Sequence, residues 1–167
     1  QKAIIDSSGT VGINNSSPQY ALSVLSSDTQ SHAHFINSST GNSSSDGTNV
    51  GVNGQDFYIW QRENASAIIG TNGSERVRVT GDGKVGIGIA TPNFAVGISN
   101  SSTLTAVYQQ FTNGTTGTSS SDGTVLGIDA DGDFLINNQE AKTIKLFTSD
   151  SERIRISSAG NVGVGTT

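Results

Sequence analysis

The sequence predicts an all-β fold, and three observations lead to it. Charged and apolar residues alternate with a period of two, as in Glu-Arg-Val-Arg-Val at 75–79, which is typical of strands with one buried face. No stretch combines a helical apolar stripe with capping residues. Dipeptides that tolerate a positive φ and close tight hairpins recur at Asn72-Gly73, Asp82-Gly83, Asp122-Gly123 and Asp131-Gly132. We therefore expect short strands joined by tight turns.

A long repeat organises these strands. One glycine-centred motif occurs three times, at 6–13, 81–87 and 157–164, and its glycines Gly9, Gly83 and Gly160 are 74 and 77 residues apart. This spacing exceeds the roughly 20–50 residues of ordinary solenoid repeats, so each copy is predicted to be a small unit of six or seven strands. We divide the chain into 1–18, the end of a preceding repeat; 19–92, the first repeat; and 93–167, the second repeat, incomplete at its C-terminus. The tandem units are about 76 residues long.

The composition limits how such units could be stabilised. Hydrophobic residues make up 32% of the chain, against about 45–50% in ordinary globular domains. The sequence contains no cysteine, so disulfides cannot supplement a thin core, and burial against identical chains is the expected supplement. A net charge of −5 with nine Lys and Arg argues against nucleic acid as a partner. No apolar run approaches the roughly 20 residues of a membrane span, so we expect no membrane insertion.

Glycine alternates with branched residues inside two of the predicted strands. Val85-Gly86-Ile87 follows Gly83, and Val162-Gly163 follows Gly160. Glycine weakens a strand, so it needs a reason. We favour close approach by another backbone, as packing around a narrow three-fold axis would require; a bulge or a strand edge is the alternative.

Several segments of the chain resemble the repeats of bacteriophage tail-fibre proteins and related viral fibres. They are Gly127–Phe134, Ser151–Ile156 and Ser157–Thr167 in the second repeat and Ser74–Pro92 in the first. Such fibres are typically parallel homotrimers, and many end in a receptor-binding tip or a self-cleaving, endosialidase-type chaperone domain. The resemblance implies units stacked along a homotrimeric fibre at the virion surface, in an extracellular setting. Other fibre or virion proteins would then be partners, and the segment would be a shaft that supports host attachment by a distal tip.

Two other functions fit the same sequence. The units could themselves form an adhesive module that binds host cell-surface glycans through Tyr58 and Trp60, since amphipathic aromatic side chains suit carbohydrate stacking as well as packing between chains. Phe57 recurs as Phe134 and is assigned to the core. The same repeat could also belong to a cellular surface filament or adhesin.

The two histidines are the candidate metal ligands. His32 and His34 are two residues apart, which places both imidazoles on one face of a strand. In a trimer, three such pairs would offer six nitrogens to one transition-metal ion on the axis. The alternative is that both are ordinary strand residues, because Tyr108 and Gln110 replace them in the second repeat. No other cofactor is expected.

Charged residues provide two further candidate sites. Asp129, Asp131, Asp133 and Glu140 have the spacing of a calcium loop, but Phe134 stands where that loop needs glycine, so a hairpin turn is the simpler interpretation. The arginines are expected to form ion pairs with Asp and Glu between strands or between chains. They are Arg76, Arg78, Arg153 and Arg155.

The sequence predicts no enzyme. It contains no Gly-x-Ser-x-Gly motif, no cysteine nucleophile and no histidine outside the His32/His34 pair. Carboxylates such as Asp56, Glu63 and Glu75 are not grouped as a glycosidase pair would be.

Overall fold

The computed structural model describes residues 3–100 and 105–165, and these residues form sixteen short strands and no helix. The all-β prediction is confirmed. Accordingly, the described part of the chain contains no helix that could cross a membrane. In chain order the strands are β1 (Ala3–Ile5), β2 (Val11–Ile13), β3 (Leu22–Val24), β4 (Gln30–Phe35), β5 (Thr48–Asn53), β6 (Asp56–Gln61), β7 (Ala67–Thr71), β8 (Ser74–Val79), β9 (Val85–Ile87), β10 (Val96–Ile98), β11 (Val107–Phe111), β12 (Thr124–Ile128), β13 (Phe134–Asn138), β14 (Ile144–Thr148), β15 (Ser151–Ile156) and β16 (Val162–Val164).

The strands form five small sheets rather than one large one. Their orders are β1-β2-β3, β4-β5-β6, β10-β9-β8-β7, β11-β12-β13 and β14-β15-β16. Most neighbours are antiparallel hairpin partners, whereas β2 and β3 run parallel. The chain divides into two compact units, Gln1–Gly97 and Ile98–Thr167. Sheets of three strands have little surface to bury, so each depends on what covers its faces.

Turn chemistry explains most of the hairpins. The β7–β8 loop consists of Asn72 (φ 51°) and Gly73 (φ 68°), both in the left-handed region that a two-residue type I′ turn requires. At Asp82-Gly83 the chain makes a turn in which the Gly83 N–H donates to the Thr80 carbonyl at 2.9 Å. Asp131-Gly132 forms the same turn between β12 and β13, with Gly132 donating to Asp129 at 3.2 Å. These three predicted turns are confirmed.

The fourth predicted turn is wrong. Asp122-Gly123 does not close a tight hairpin, because β11 ends at Phe111 and β12 begins at Thr124, which pair with each other across a long loop. Asp122 instead stabilises that loop, because its carboxylate accepts the Ser119 N–H at 2.8 Å. A dipeptide with turn propensity therefore marks the end of a loop here.

Contacts within the chain explain why β9 contains a glycine. A Cβ on Gly86 would lie 2.1 Å from the carbonyl oxygen of Ile89, where the chain turns back on itself, and one on Gly12 would lie 2.1 Å from the carbonyl of Asn15. Close approach by a backbone was the expected reason, but the backbone is the chain's own. A neighbouring chain is not needed to explain Gly86.

A β-bulge interrupts the period-two alternation that the sequence predicts for the arginine-containing strands β8 and β15. Ile69 pairs with Val77 and Gly70 pairs with Glu75, so Arg76 is the extra residue. The bulge breaks the alternation and brings Glu75 and Arg78 together, with Arg78 Nε donating to Glu75 Oε1 at 2.7 Å. In β15, Arg155 Nε likewise donates to Glu152 at 2.5 Å. Both ion pairs lie within one strand and not between strands. Ion pairs of these arginines between chains stay a prediction.

The other two arginines bond to threonine. The Nε atoms of Arg76 and Arg153 donate to Thr71 Oγ1 at 3.0 Å and to Thr148 Oγ1 at 2.7 Å. Across the sheet, Lys145 Nζ lies 3.4 Å from Glu152 Oε2, which is the inter-strand ion pair at this position.

The apolar faces of the sheets are open in the single chain. In β4–β6 the register places Ala33, Val50 and Ile59 in one row, with Phe57 and Val52 in the next row of the same face. Phe57 is 71% exposed and its counterpart Phe134 is 67% exposed, so assigning Phe57 to the core is wrong for the single chain. Among the described residues, the buried apolar side chains are Val125, which is 7% exposed and lies in a strand, and Pro92, which lies in a loop.

Candidate functional site

The opposite face of β4–β6 collects the polar and aromatic candidates. The register aligns His32, Gly51 and Tyr58 in one row across the three strands. The next row contains His34, Asn49 and Trp60. Alternation along the strands separates these residues from the apolar face, so the sequence-predicted pairs His32/His34 and Tyr58/Trp60 share one surface. We call it the polar face.

Gly51 brings the outer members of its row together. A Cβ on Gly51 would lie 2.2 Å from the Ser31 carbonyl oxygen and 2.5 Å from the His32 Cα, so no side chain fits there without displacing backbone. Over this bare position the His32 and Tyr58 rings meet edge to face, with centroids 6.2 Å apart. The Tyr58 hydroxyl lies 3.1 Å from His32 Nδ1, within hydrogen-bond distance.

His34 has a structural partner. Its Nε2 lies 2.7 Å from the carbonyl oxygen of Asp46. Since a carbonyl oxygen can only accept, Nε2 carries the proton and donates. Gln110, at the same position of β11, donates from Nε2 to the Asp122 carbonyl at 2.9 Å. The two residues hold equivalent loops by equivalent bonds.

These geometries bear on the predicted axial metal site. With Nε2 donating to Asp46, His34 has only Nδ1 left for a metal ion. No group of three or more His, Cys, Asp or Glu positioned to hold a metal occurs in residues 3–100 and 105–165. The three-chain site on His32 and His34 stays a prediction.

Two of the four carboxylates proposed for calcium, those of Asp129 and Glu140, have other partners. Asp129 Oδ1 accepts the backbone N–H groups of Asp131 at 3.0 Å and Asp133 at 2.9 Å, which forms the turn between β12 and β13. Glu140 Oε1 accepts the Gly123 N–H at 2.8 Å. Glu140 therefore anchors the end of the long loop, in agreement with the hairpin interpretation.

Matching loops flank the two central sheets. In the loop at 37–47, the Asn37 Oδ1 accepts the Ser39 N–H at 2.8 Å, and the Asp46 Oδ2 accepts the Ser43 N–H at 2.8 Å. In the loop at 113–123, the corresponding bonds join Thr115 to Asn113 at 2.9 Å and Ser119 to Asp122 at 2.8 Å. The hydrogen bond from Ser43 lowers the pKa of Asp46 below its ordinary value.

A buried amide of the polar face is paired with the guanidinium of an exposed arginine. Asn49 is 2% exposed. With its amide turned so that Oδ1 faces Arg62, Asn49 accepts from Nη2 at 3.1 Å and from Nε at 3.2 Å. Trp60, across the sheet from Asn49, is 57% exposed and offers its ring to solvent in the single chain.

A polar cavity of about 470 Å³ adjoins the polar face. His32 lies in its wall and also touches Tyr58, so it connects the cavity to the aromatic row. The remaining wall consists mainly of the segment from Val24 to Ser31, which includes Ser26, Ser27, Asp28 and Thr29; the Ser26 hydroxyl accepts the Asp28 N–H at 3.1 Å.

The second repeat presents different chemistry at the same positions. Tyr108, Gly127 and Leu135 form one row, and Gln110, Val125 and Asn137 form the next. The cavity of about 440 Å³ in this region has a largely apolar wall, which includes Leu126, Ile128 and Phe134. The sheet and its flanking loop recur, whereas the aromatic pair Tyr58 and Trp60 has Leu135 and Asn137 as its counterparts.

Arg62, Asn49 and Asp28 were not found by sequence reasoning. Asn49 and Arg62 lie in no motif, and the residues that correspond to them are Val125 and Gln139. Glu63 was noted only as an ungrouped carboxylate, yet its Oε1 accepts the Gly47 N–H at 2.8 Å, as Glu140 does for Gly123. Its recurrence as Glu140 was the available signal.

Comparison of the chain with protein-family models and with curated proteins gave no match. Any function must therefore be inferred from the geometry and chemistry of the chain itself.

Proposed function

We propose that this chain is a structural segment of a homotrimeric surface fibre. It would form part of the shaft of a viral tail fibre, or of a similar appendage, and hold a distal attachment tip away from the particle. Its partners would be two copies of itself and other fibre proteins, in an extracellular setting at the virion surface. Its role would be mechanical rather than catalytic.

The observation that carries the proposal is the open apolar face of each sheet. Val125 and Pro92 are the buried apolar side chains among the described residues, while five large apolar side chains are each more than half exposed: Phe35, Phe57, Ile59, Phe134 and Ile136. Burial of apolar surface contributes about 25 cal/mol per Å² and is the main favourable term in folding. A single chain of this kind gains too little from burial to offset the entropy cost of ordering it. Three copies around an axis would cover these faces with one another.

Trimeric packing would also protect the sheet edges. Each three-stranded sheet leaves two strands with unpaired backbone groups, which invites uncontrolled association. Cyclic symmetry lets each edge meet a partner on the next chain and closes the assembly. The chain has no cysteine and therefore has no disulfide to perform the same task.

The proposal includes tandem units of about 76 residues stacked along the fibre. Equivalent loops at 37–47 and 113–123, equivalent glutamate anchors at Glu63 and Glu140, and equivalent bulges before Arg78 and Arg155 support this interpretation. Repeating the same loops, anchors and bulges along one chain would extend a shaft by units of the same backbone structure.

Light scattering on the purified chain tests the proposal. We expect a mass about three times the 17.2 kDa of one chain. Ile136→Asp should abolish the trimer, because it places a charge on the apolar face of β13. Asn137→Asp adds the same charge to the opposite face one residue away and should leave the trimer intact. A stable, folded monomer would overturn the proposed function, and so would equal effects of the two variants.

A further inference from the structure

We propose that the polar face of β4–β6 and the adjoining cavity form a binding site for a neutral, hexose-containing glycan. The inference rests on the proposed function in one respect: other chains of the fibre cover the apolar face, which leaves the opposite surface to solvent. A shaft with this site would contact a receptor along its side as well as at its tip.

The cavity has the chemistry of a saccharide hydroxyl site. Ser26, Ser27 and Thr29 offer hydroxyl groups that both donate and accept, and Asp28 offers a strong acceptor. Sugar hydroxyl groups also both donate and accept, so this wall can satisfy them at several positions. Its volume of about 470 Å³ lies within the usual range for small-ligand sites.

The aromatic row supplies the complementary apolar surface. The C–H faces of a hexose stack on aromatic rings, and Tyr58 and Trp60 project from the same face of β6 about 7 Å apart, two residues along the strand. His32 lines the cavity, and its ring touches Tyr58. The cavity and the aromatic row therefore adjoin at His32.

Charge at the site selects a neutral glycan. The Asp28 carboxylate in the cavity wall would repel an acidic sugar. Arg62, the cation closest in sequence to the aromatic row, is exposed and directs Nε and Nη2 to Asn49. Those two donors are therefore already occupied by a neutral acceptor.

The second repeat provides an internal control. Leu135 and Asn137 replace the aromatic pair. The second repeat therefore lacks the aromatic rings on which a sugar would stack. We expect one glycan site per chain, in the first repeat.

The single tryptophan of the chain makes the site directly observable, because Trp60 is the only source of indole fluorescence. The experiment titrates the full chain with neutral oligosaccharides of glucose, galactose, mannose and N-acetylglucosamine, and with a sialylated oligosaccharide as the anionic comparator. We expect a saturable change in tryptophan emission with at least one neutral glycan. No change at millimolar concentration, or a response to the anionic glycan alone, would overturn the inference.

Variants test the position of the site by calorimetry. Trp60→Ala should weaken binding about tenfold, which corresponds to about 1.4 kcal/mol, because a stacked aromatic ring at the centre of a site is among the side chains that contribute most to binding. Asn137→Ala, at the corresponding position of the second repeat, should bind as the unmodified chain does. Equal affinity of the Trp60→Ala variant would also overturn the inference.

Light scattering on the same samples separates the two proposals. A trimer that does not respond to any neutral saccharide would contradict the proposed glycan site and leave the proposed shaft function standing. A monomer would contradict the proposed shaft function. Circular dichroism of the Trp60→Ala variant should match that of the unmodified chain, because this side chain is more than half exposed; if it does not, Tyr58→Ala replaces it as the test variant.

Discussion

The sheets β4–β6 and β11–β13 follow the same backbone plan, yet their polar faces carry different residues. Both have a central glycine, a flanking loop with the same hydrogen bonds, and a glutamate that anchors the loop. They differ at Trp60 against Asn137, at Tyr58 against Leu135 and at Asn49 against Val125. The central glycine, the loop and the glutamate that holds the loop are thus the same in both sheets. The residues on the polar face differ between the two sheets, and the strand pairing stays the same. Variation of that kind is what a surface used for recognition requires.

The largest expected effect tests what the two sheets share. Gly51→Ala and Gly127→Ala should each lower the free energy of unfolding by about 3 kcal/mol, because a methyl group would lie 2.2 Å from the Ser31 carbonyl oxygen and 1.9 Å from that of Val107. Chemical denaturation measures the loss. Gly114→Ala is the matched control, since the space around Gly114 is open, and it should be close to neutral. A tolerated alanine in only one of the two sheets would show that they do not share this constraint.

The next effect tests where the sheets differ. Val125→Asn should cost about 2 kcal/mol, because it buries an amide where residue 139 is glutamine rather than arginine. The double variant Val125→Asn/Gln139→Arg reproduces the Asn49–Arg62 pair and should recover most of the loss. Thermal denaturation of the three proteins measures the difference. A double variant no more stable than the single one would mean that the pair depends on its surroundings in the first repeat.

The smallest effect concerns acid. Hydrogen bonds from Arg78 and Arg155 lower the pKa of Glu75 and of Glu152, so each carboxylate stabilises the folded state above the unfolded-state pKa of about 4.3. That contribution is lost as pH falls through the lowered folded-state pKa. Glu152 also faces Lys145, so Glu152→Gln should reduce the acid dependence of the melting temperature more than Glu75→Gln does. Melting curves between pH 7 and pH 3 measure it, and the reverse order would contradict the assignment.

Much of the fold could be predicted from the sequence because it depends on short-range chemistry. Period-two alternation and the dipeptides Asn72-Gly73, Asp82-Gly83 and Asp131-Gly132 act within a few residues, and the structure has strands and turns where they indicate. Asp122-Gly123 failed because its aspartate forms a hydrogen bond within a long loop, which the dipeptide alone does not reveal. The alternation predicted for β8 does not hold along the whole strand, because a one-residue bulge at Arg76 reverses it. No residue pattern signals that bulge.

The candidate site was predicted in part. Alternation places His32 with His34 and Tyr58 with Trp60, but it cannot show that β4 and β6 align these pairs across Gly51. The contact between His32 and Tyr58 depends on strand register, and so do the hydrogen bonds between Arg62 and Asn49. The cavity wall at 24–31 follows from the path of a loop, and single-residue propensities do not specify that path.

The bare row at Gly51 has a consequence for how the surface can change. In an ordinary sheet, a side chain in the middle strand separates its two neighbours, so substitutions in the outer strands act independently. Here the middle position is empty, and residues 32 and 58 touch although a strand lies between them. Substitution at one of them alters the fit of the other, so the two positions are expected to vary as a unit while Gly51 stays fixed. Positions 108 and 135 meet the same condition across Gly127, and each repeat can therefore carry its own matched pair on an unchanged backbone.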